Sequence, residues 1–206
     1  MHFERKNIMG NEARQKKEVD VAKLKQAYED LNDARMREAE ANLALFEATA
    51  RKTAAKGDLE EVSGLRAIRD SFLAKLQEQK LAAESDWERY TAGVEEEWSE
   101  MERKMDEFQS RVESLIEDDR ELWAARQDAM DARIDRLATR ADQVNAQERI
   151  RFQNDLAGLR AKQAEARRKL EEFARADEAA ADDLKAGIAA AWNELRAAVK
   201  SAIKRY

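Results

Sequence analysis

The chain has 206 residues, with 38 basic and 44 acidic side chains, no proline, no cysteine and a single histidine, His2. Charged residues make up 40% of it, against about 25% in an ordinary globular domain. The missing cysteine removes disulfides, thiolate metal sites and cysteine nucleophiles, and one histidine near the terminus excludes histidine-based catalysis. The composition therefore excludes many enzyme classes and favours long helices, because most of its abundant residues are good helix formers.

The first part of the chain predicts a lead-in, a helix and a turn. Residues 1–17 have no apolar period and are predicted to be a flexible lead-in. A helix is predicted from about Val19. It is expected to end at residues 56–61, where Gly57 suits the position after a helix and Asp58 suits the N-cap of the next.

The strongest pattern follows a second N-cap signal at Ser85-Asp86. Large apolar residues recur at about 3.57 residues per step over residues 87–137, which predicts one long helix with little supercoil. Two polar residues, Asp119 and Arg126, fall on this stripe. Such residues can set register or partner choice, but we interpret them as solvated positions where the stripe ends locally.

The last part of the chain predicts two more helices. A turn is expected at residues 142–147, because Asp and Asn disrupt helix interiors, and a further helix start at Asp177-Glu178.

Residues 84–121 hold 15 acidic and 5 basic side chains, whereas residues 148–175 hold 5 acidic and 8 basic. A chain that folds back near residue 142 would therefore lay an acidic helix beside a basic one, and a dimer would satisfy the same charges between chains.

The chain contains one long stretch twice. Residues 64–102 recur without a gap as residues 158–196, and 13 of the 39 aligned pairs are identical. This predicts a duplicated helical module, with one copy in residues 18–112 and the other in residues 113–206.

Both copies carry an Ala-Gly pair followed by a tryptophan, and we predict a packing and interaction seam there. The small residues would let another helix approach closely, and the large ones would fill the contact. Trp98 and Trp192 occupy the same position of the repeat, which favours packing over ligand stacking. The predicted seam consists of Trp87, Gly93, Val94, Trp98, Gly187, Ile188, Trp192 and Leu195.

The C-terminal helix has a second possible use. Its apolar stripe carries basic residues near its end, a combination that can lie on an anionic membrane surface. The alternative is that this basic helix packs on the acidic middle of the chain. The predicted membrane-facing residues are Arg196, Lys200, Lys204 and Arg205.

No motif predicts a catalytic, metal or cofactor site. Runs of acids such as residues 95–97 fan out by about 100° per residue on a helix and do not converge on one ion. There is no phosphate-binding glycine loop and no nucleophile motif, so we expect no cofactor and no enzymatic activity. The mixed charges do not predict nucleic-acid binding. No signal peptide or membrane span is apparent, and a cytoplasmic protein is the expectation.

The repeated motif resembles a loose group of bacterial coiled-coil proteins, some of them cyanobacterial and described as stress-related. The matching segments cover about 80 residues and include Leu159–Glu172 and Asp183–Tyr206, the latter reading DLKAGIAAAWNELRAAVKSAIKRY. In the second copy Ala181 stands where the group has its first tryptophan. The resemblance implies a helical, oligomeric protein without a known catalytic site.

These observations predict an all-α protein whose long amphipathic helices form an antiparallel coiled-coil hairpin or a thin helical bundle. The leading functional hypothesis is a non-enzymatic structural or scaffold protein that forms homo-oligomers, or binds a protein partner, through its coiled-coil seams. The alternative hypothesis is a peripheral protein that binds a membrane or lipid surface through the C-terminal helix.

Overall fold

The protein is an all-α helical bundle, as a computed structural model shows. The structure describes the backbone of residues 2–53, 56–82, 86–117, 120–144, 146–176 and 178–205, and the side chains of residues 21–53, 57–82, 86–113, 122–144, 148–176 and 184–205. In these ranges there are six helices and no strand: α1 His2–Thr53, α2 Lys56–Leu81, α3 Trp87–Glu117, α4 Arg120–Ala141, α5 Ala146–Arg175 and α6 Glu178–Arg205. The predicted fold class is confirmed.

Most helix ends lie at the positions that were predicted from polar residues in the sequence. α3 begins directly after Asp86, α4 ends before Asp142, and α6 begins at Glu178. Ser85, Asn145 and Asp177 lie outside the described residues. The predicted helix start near Val19 is wrong, because the backbone of α1 is helical from His2. The flexibility predicted for residues 1–17 stays a prediction.

The first turn lies earlier than predicted. α1 ends at Thr53 and α2 begins at Lys56, so Gly57 is inside α2 and does not follow a helix end. Asp58 lies in the first turn of α2, where the helix dipole favours a negative charge. Its carboxylate accepts a hydrogen bond from the Thr53 hydroxyl at 3.1 Å, which joins the two helices at the turn.

The single long helix predicted over residues 87–137 is wrong. α3 ends at Glu117 and α4 begins at Arg120, and α4 folds back along α3. Arg133 lies 2.9 Å from Asp106, although an unbroken helix would separate the two by about 40 Å. The same apolar period fits either one straight helix or two helices that pack together. The second arrangement buries the apolar stripe against other helices of the same chain. Asp119 lies outside the described residues.

The helices form two three-helix units that join through α1 and α4. We call α1, α2 and α3 the first unit, and α4, α5 and α6 the second unit. α1 and α4 are antiparallel: Gln143 donates to the carbonyl of Ala27 at 2.6 Å, and further along the pair Arg136 contacts Glu38. Leu122 of α4 belongs to the core of the first unit, so the two units share part of one core.

Equivalent positions of the repeat are buried in both units. Leu65 and Leu159, and likewise Trp98 and Trp192, are at most 3% exposed. This agrees with the duplication read from the sequence, while the division at residue 112 stays a prediction. The basic α5 packs on α4 and α6, and the acidic α3 takes its arginine partners from α1, α4 and α6. The side-by-side placement of acidic and basic helices expected from the charge blocks is therefore wrong.

Candidate functional site

The predicted seam faces inward. Five of its residues are buried in the cores of their own units: Val94, Trp98, Ile188, Trp192 and Leu195. Trp87 is partly buried, with its ring 6.0 Å from the ring of Tyr28 and the Lys25 ammonium 4.8 Å above it. These side chains hold the helices of one chain together and are not a free contact surface.

The two seam glycines make room for a lysine of the preceding helix. The side chain of Lys75 lies across Gly93 in the first unit, and that of Lys169 lies across Gly187 in the second. Lys169 donates a hydrogen bond from Nζ to the Gly187 carbonyl at 3.3 Å. The repeated lysine and the repeated glycine therefore pack against each other in both units. The glycines were predicted to let the backbone of another helix approach, but the group that approaches them is this lysine side chain.

Trp98 is enclosed by two arginines and one ring. The guanidinium of Arg35 on α1 lies 5.3 Å from the indole centroid, and that of Arg136 on α4 lies 5.1 Å from it. Phe72 of α2 is in ring contact at 5.7 Å. Because Arg136 comes from the second unit, this tryptophan takes part in the junction between the units.

Trp192 has a corresponding arrangement with Arg126, which the sequence predicted to be solvated. That prediction is wrong: Arg126 is fully buried. Its guanidinium lies 4.6 Å from the Trp192 ring and 4.9 Å from the Trp123 ring, and it forms an ion pair with Glu113 at 2.6 Å. Contact with two aromatic rings and a carboxylate offsets the cost of taking the charge out of water.

A stripe of four acids on α3 receives these arginines. Glu95, Glu102, Asp106 and Glu113 are spaced 7, 4 and 7 residues apart, so they lie on one side of the helix. We call them the acidic stripe. Its last three members pair with arginines of the second unit: Glu102 with Arg136, Asp106 with Arg133, and Glu113 with both Arg126 and Arg196. The acidic block of the sequence is thus the surface on which the second unit docks.

Glu95 makes the corresponding contact within the first unit. Its two carboxylate oxygens accept hydrogen bonds from Arg35, each at 2.6 Å, and one also accepts from the Tyr28 hydroxyl at 2.8 Å. Burial alone raises the pKa of Glu95, but the hydrogen bonds and charge of Arg35 outweigh it, so the pKa lies below its usual value. Burial, and then the neighbouring carboxylate, raise the pKa of Tyr28.

The centre of the α1 and α4 contact is a buried carboxylate that the sequence did not single out. Glu38 is fully buried between Arg133, at 3.2 Å, and Arg136. The one signal in the sequence was Arg35, a charged residue one turn before Glu38 that interrupts the apolar stripe of α1. The sequence did not indicate the partners of Glu38, because both come from a helix about 100 residues away.

A groove opens beside this junction, with α3 and α6 as its walls and α4 as its floor. Its volume is about 700 Å³. The α3 wall carries the last three acids of the acidic stripe together with Arg103, and the floor includes Met130 and Arg133. The α6 wall presents Arg196, Val199, Lys200, Ile203 and Lys204.

Of the four basic residues predicted to face a membrane, two form ion pairs within the chain and two are exposed. Arg196 pairs with Glu113 and Arg205 pairs with Asp155 at 2.6 Å, so both are engaged within the chain. Lys200 and Lys204 are exposed, and neither makes an ion pair within the part of the chain that the structure describes. Among the charged residues that line the groove, these two lysines have no ion-pair partner among the described residues.

The apolar face of α6 is occupied by its own unit. Its residues at positions 188, 192, 195, 199 and 202 are buried in the second core. Contact of this face with lipid would require α6 to leave the bundle. No helix in the described ranges is long and apolar enough to cross a membrane.

The polar contacts of the junction are pairs of arginines and carboxylates that join helices of the chain. Glu97, one of the consecutive acids at positions 95–97, accepts a hydrogen bond from the Ser71 hydroxyl at 3.1 Å, and its neighbour Glu96 is exposed. Within the described residues, no three His, Cys, Asp or Glu side chains are placed to hold a metal ion.

Comparison of the chain with protein-family models, with curated proteins and with solved structures found no match. The function is therefore inferred from the geometry and the sequence.

Proposed function

We propose that this chain is a non-enzymatic structural protein, a helical scaffold of the cytoplasm that self-associates. One observation carries the proposal: the arginines and carboxylates that cluster in the described part of the chain are paired with each other and hold its helices together. Arg126, buried between Trp123 and Trp192 and paired with Glu113, is the central example. The resemblance to bacterial coiled-coil proteins implies the same class of function.

Self-association would use the outer surface of the bundle, because the predicted seam is buried within each unit. Several large apolar side chains lie on that surface, and two of them, Leu24 and Leu81, are 69% and 88% exposed. Single apolar side chains on a surface are common in monomers, so these two residues allow a side-by-side contact between copies and do not require one.

The experiment is light scattering coupled to size-exclusion chromatography, over about a hundredfold range of concentration. A larger species that grows with concentration is the expected result, and a monomer at every concentration would refute self-association. Substitution of Trp98 and Trp192 by alanine is not a useful test of assembly. Both rings are core residues, and each loss costs about 3–5 kcal/mol of folding stability.

Binding to a lipid surface is the second candidate. Lys200 and Lys204 favour it, because both are exposed and neither makes an ion pair with a described residue. Co-sedimentation with anionic vesicles at low salt tests it. Binding through α6 would separate Trp192 from Trp123, whose rings are 5.5 Å apart, and so would change the tryptophan fluorescence. Vesicles that leave both the pellet and the fluorescence unchanged would exclude this candidate.

A further inference from the structure

The two walls of the groove carry opposite charges at equivalent positions of the repeat. Ninety-four positions after Glu102 and Asp106 of α3 stand Arg196 and Lys200 of α6. Both pairs line the groove, the acids on one wall and the bases on the other. The duplicated module therefore presents a negative stripe and a positive stripe side by side on one face of the molecule.

The charges of this face are only partly satisfied within the chain. Asp106 pairs with Arg133 yet its side chain is 53% exposed. Glu107, which follows it on α3 beside the groove and outside its lining, pairs with Arg103 and is 60% exposed. Lys200 and Lys204 on the opposite wall are exposed and make no ion pair in the described part of the chain. Arg103 is the cation of the α3 wall, and it is held by Glu100 and Glu107 of its own helix.

A face of this kind is complementary to itself in one orientation. A two-fold axis that runs parallel to the stripes and lies in the contact plane places the positive stripe of each molecule on the negative stripe of the other. Each attractive contact is then formed twice, as a symmetric dimer interface requires. An axis across the stripes would place like charges together, which costs free energy, so the charges select the first orientation.

We propose that the groove face formed by α3 and α6 binds a second copy of this chain, with Lys200 and Lys204 of each copy opposite Asp106 and Glu107 of the other. This inference rests on the proposed self-association and assigns it to a surface. The groove is also lined by the apolar residues Met130, Val199 and Ile203, of which Met130 and Val199 are at most 4% exposed.

The size of the face sets the strength of the dimer. The groove residues span roughly 20 Å along the helices, and two helices are roughly 20 Å wide, so about 400 Å² would be buried on each copy. Twice this area is below the roughly 1,200 Å² of a stable complex. The dimer is therefore weak, exchanges rapidly and loosens as salt screens its charges.

The first experiment reverses the positive stripe. The double variant Lys200→Glu, Lys204→Glu is compared with the wild type and with the control Arg37→Glu, Arg160→Glu, which changes the net charge equally on exposed side chains away from the groove and from Leu24 and Leu81. Sedimentation velocity is measured over a range of concentrations, and circular dichroism verifies that each variant is folded. We expect the dissociation constant to rise at least about tenfold in the groove variant and to change little in the control.

The second experiment restores the complementarity between two different chains. The variant Asp106→Lys, Glu107→Lys reverses the other stripe, so it too should fail to self-associate. Mixed with the Lys200→Glu, Lys204→Glu variant, it should form a heterodimer in which every contact is again between opposite charges. Recovery of the dimer only in the mixture would support this interface specifically.

The outcomes separate the two proposals. If the wild type associates and both stripe variants associate equally well, the groove assignment is wrong and self-association uses another surface. A wild type that is monomeric at every concentration would refute self-association itself, and the groove assignment with it. Binding of the groove to an unrelated acidic protein, without wild-type dimers, would likewise overturn the proposal.

Discussion

The ion pair between Arg126 and Glu113 should respond unequally to the loss of its two members. Glu113→Gln leaves a fully buried guanidinium without its carboxylate, because the Arg126 side chain is 0% exposed. Removing one partner of a buried pair in this way costs about 3–5 kcal/mol. Arg126→Met removes the buried charge itself, and Glu113, which is 19% exposed, keeps Arg196 as a partner. We expect the second variant to lose only about 1–2 kcal/mol, from the contacts with two tryptophan rings and one hydrogen bond.

The assays are urea unfolding at constant temperature and thermal unfolding, each followed by circular dichroism and by tryptophan fluorescence. Trp123 and Trp192 contact the guanidinium, so the fluorescence reports on the site itself. For a chain of this size a change of 1 kcal/mol moves the melting temperature by about 2–4 °C. Glu113→Gln should therefore lower it by roughly 6–20 °C, and Arg126→Met by roughly 2–8 °C.

The double variant completes the comparison. If Glu113 matters chiefly as the counter-charge of Arg126, then Glu113→Gln should cost much less in the Arg126→Met background than in the wild type. Equal costs in the two backgrounds would refute the reasoning. So would a larger loss for Arg126→Met than for Glu113→Gln, which would mean that packing on the rings, and not the buried charge, governs the site.

Three further predictions concern the helices. Gly64→Ala should raise the unfolding free energy by about 1 kcal/mol, because a methyl group there meets open space; unchanged or lower stability in urea unfolding would contradict this. The lowered pKa of Glu95 contributes stability above the ordinary glutamate value of about 4.3, and that stability is lost as the pH falls through the folded-state value. Acid titration of Arg35→Met should show a smaller loss, and an unchanged profile would count against the ion pair. Spin labels on cysteines at Glu107 and Asp135 should lie well under 30 Å apart, whereas an unbroken helix would give about 42 Å.

The sequence predicts the helices well because a buried helix face repeats about every 3.6 residues. Val94, Trp98, Met101 and Phe108 were recognised by this spacing, and all are buried. The spacing says nothing about where a helix folds back. Between Glu117 and Arg120 no glycine or proline marks a break, and the apolar period continues in step on both sides. Contacts between distant segments decide the break, and a local pattern does not contain them.

The junction was harder to predict for a related reason. A lone charge on an apolar stripe is usually solvated, and Arg126 is buried only because Glu113, Trp123 and Trp192 converge on it from three helices. Gly93 shows the same limit. Its place in the repeat indicated close packing, but not that the neighbour is the side chain of Lys75.

The way the two repeats differ explains why the units join in one specific manner. Arg126 and Arg136 of α4 stand where α1 has Asn32 and Asn42. Pairing the first unit of one molecule with the first unit of another would therefore place asparagines opposite the acidic stripe and leave its carboxylates without counter-charges. Pairing the second units of two molecules would bring their arginines together, with no acidic stripe to neutralise them. Only a first unit with a second unit satisfies both sets, so the charges reject the like-with-like alternatives that a duplicated module would otherwise allow.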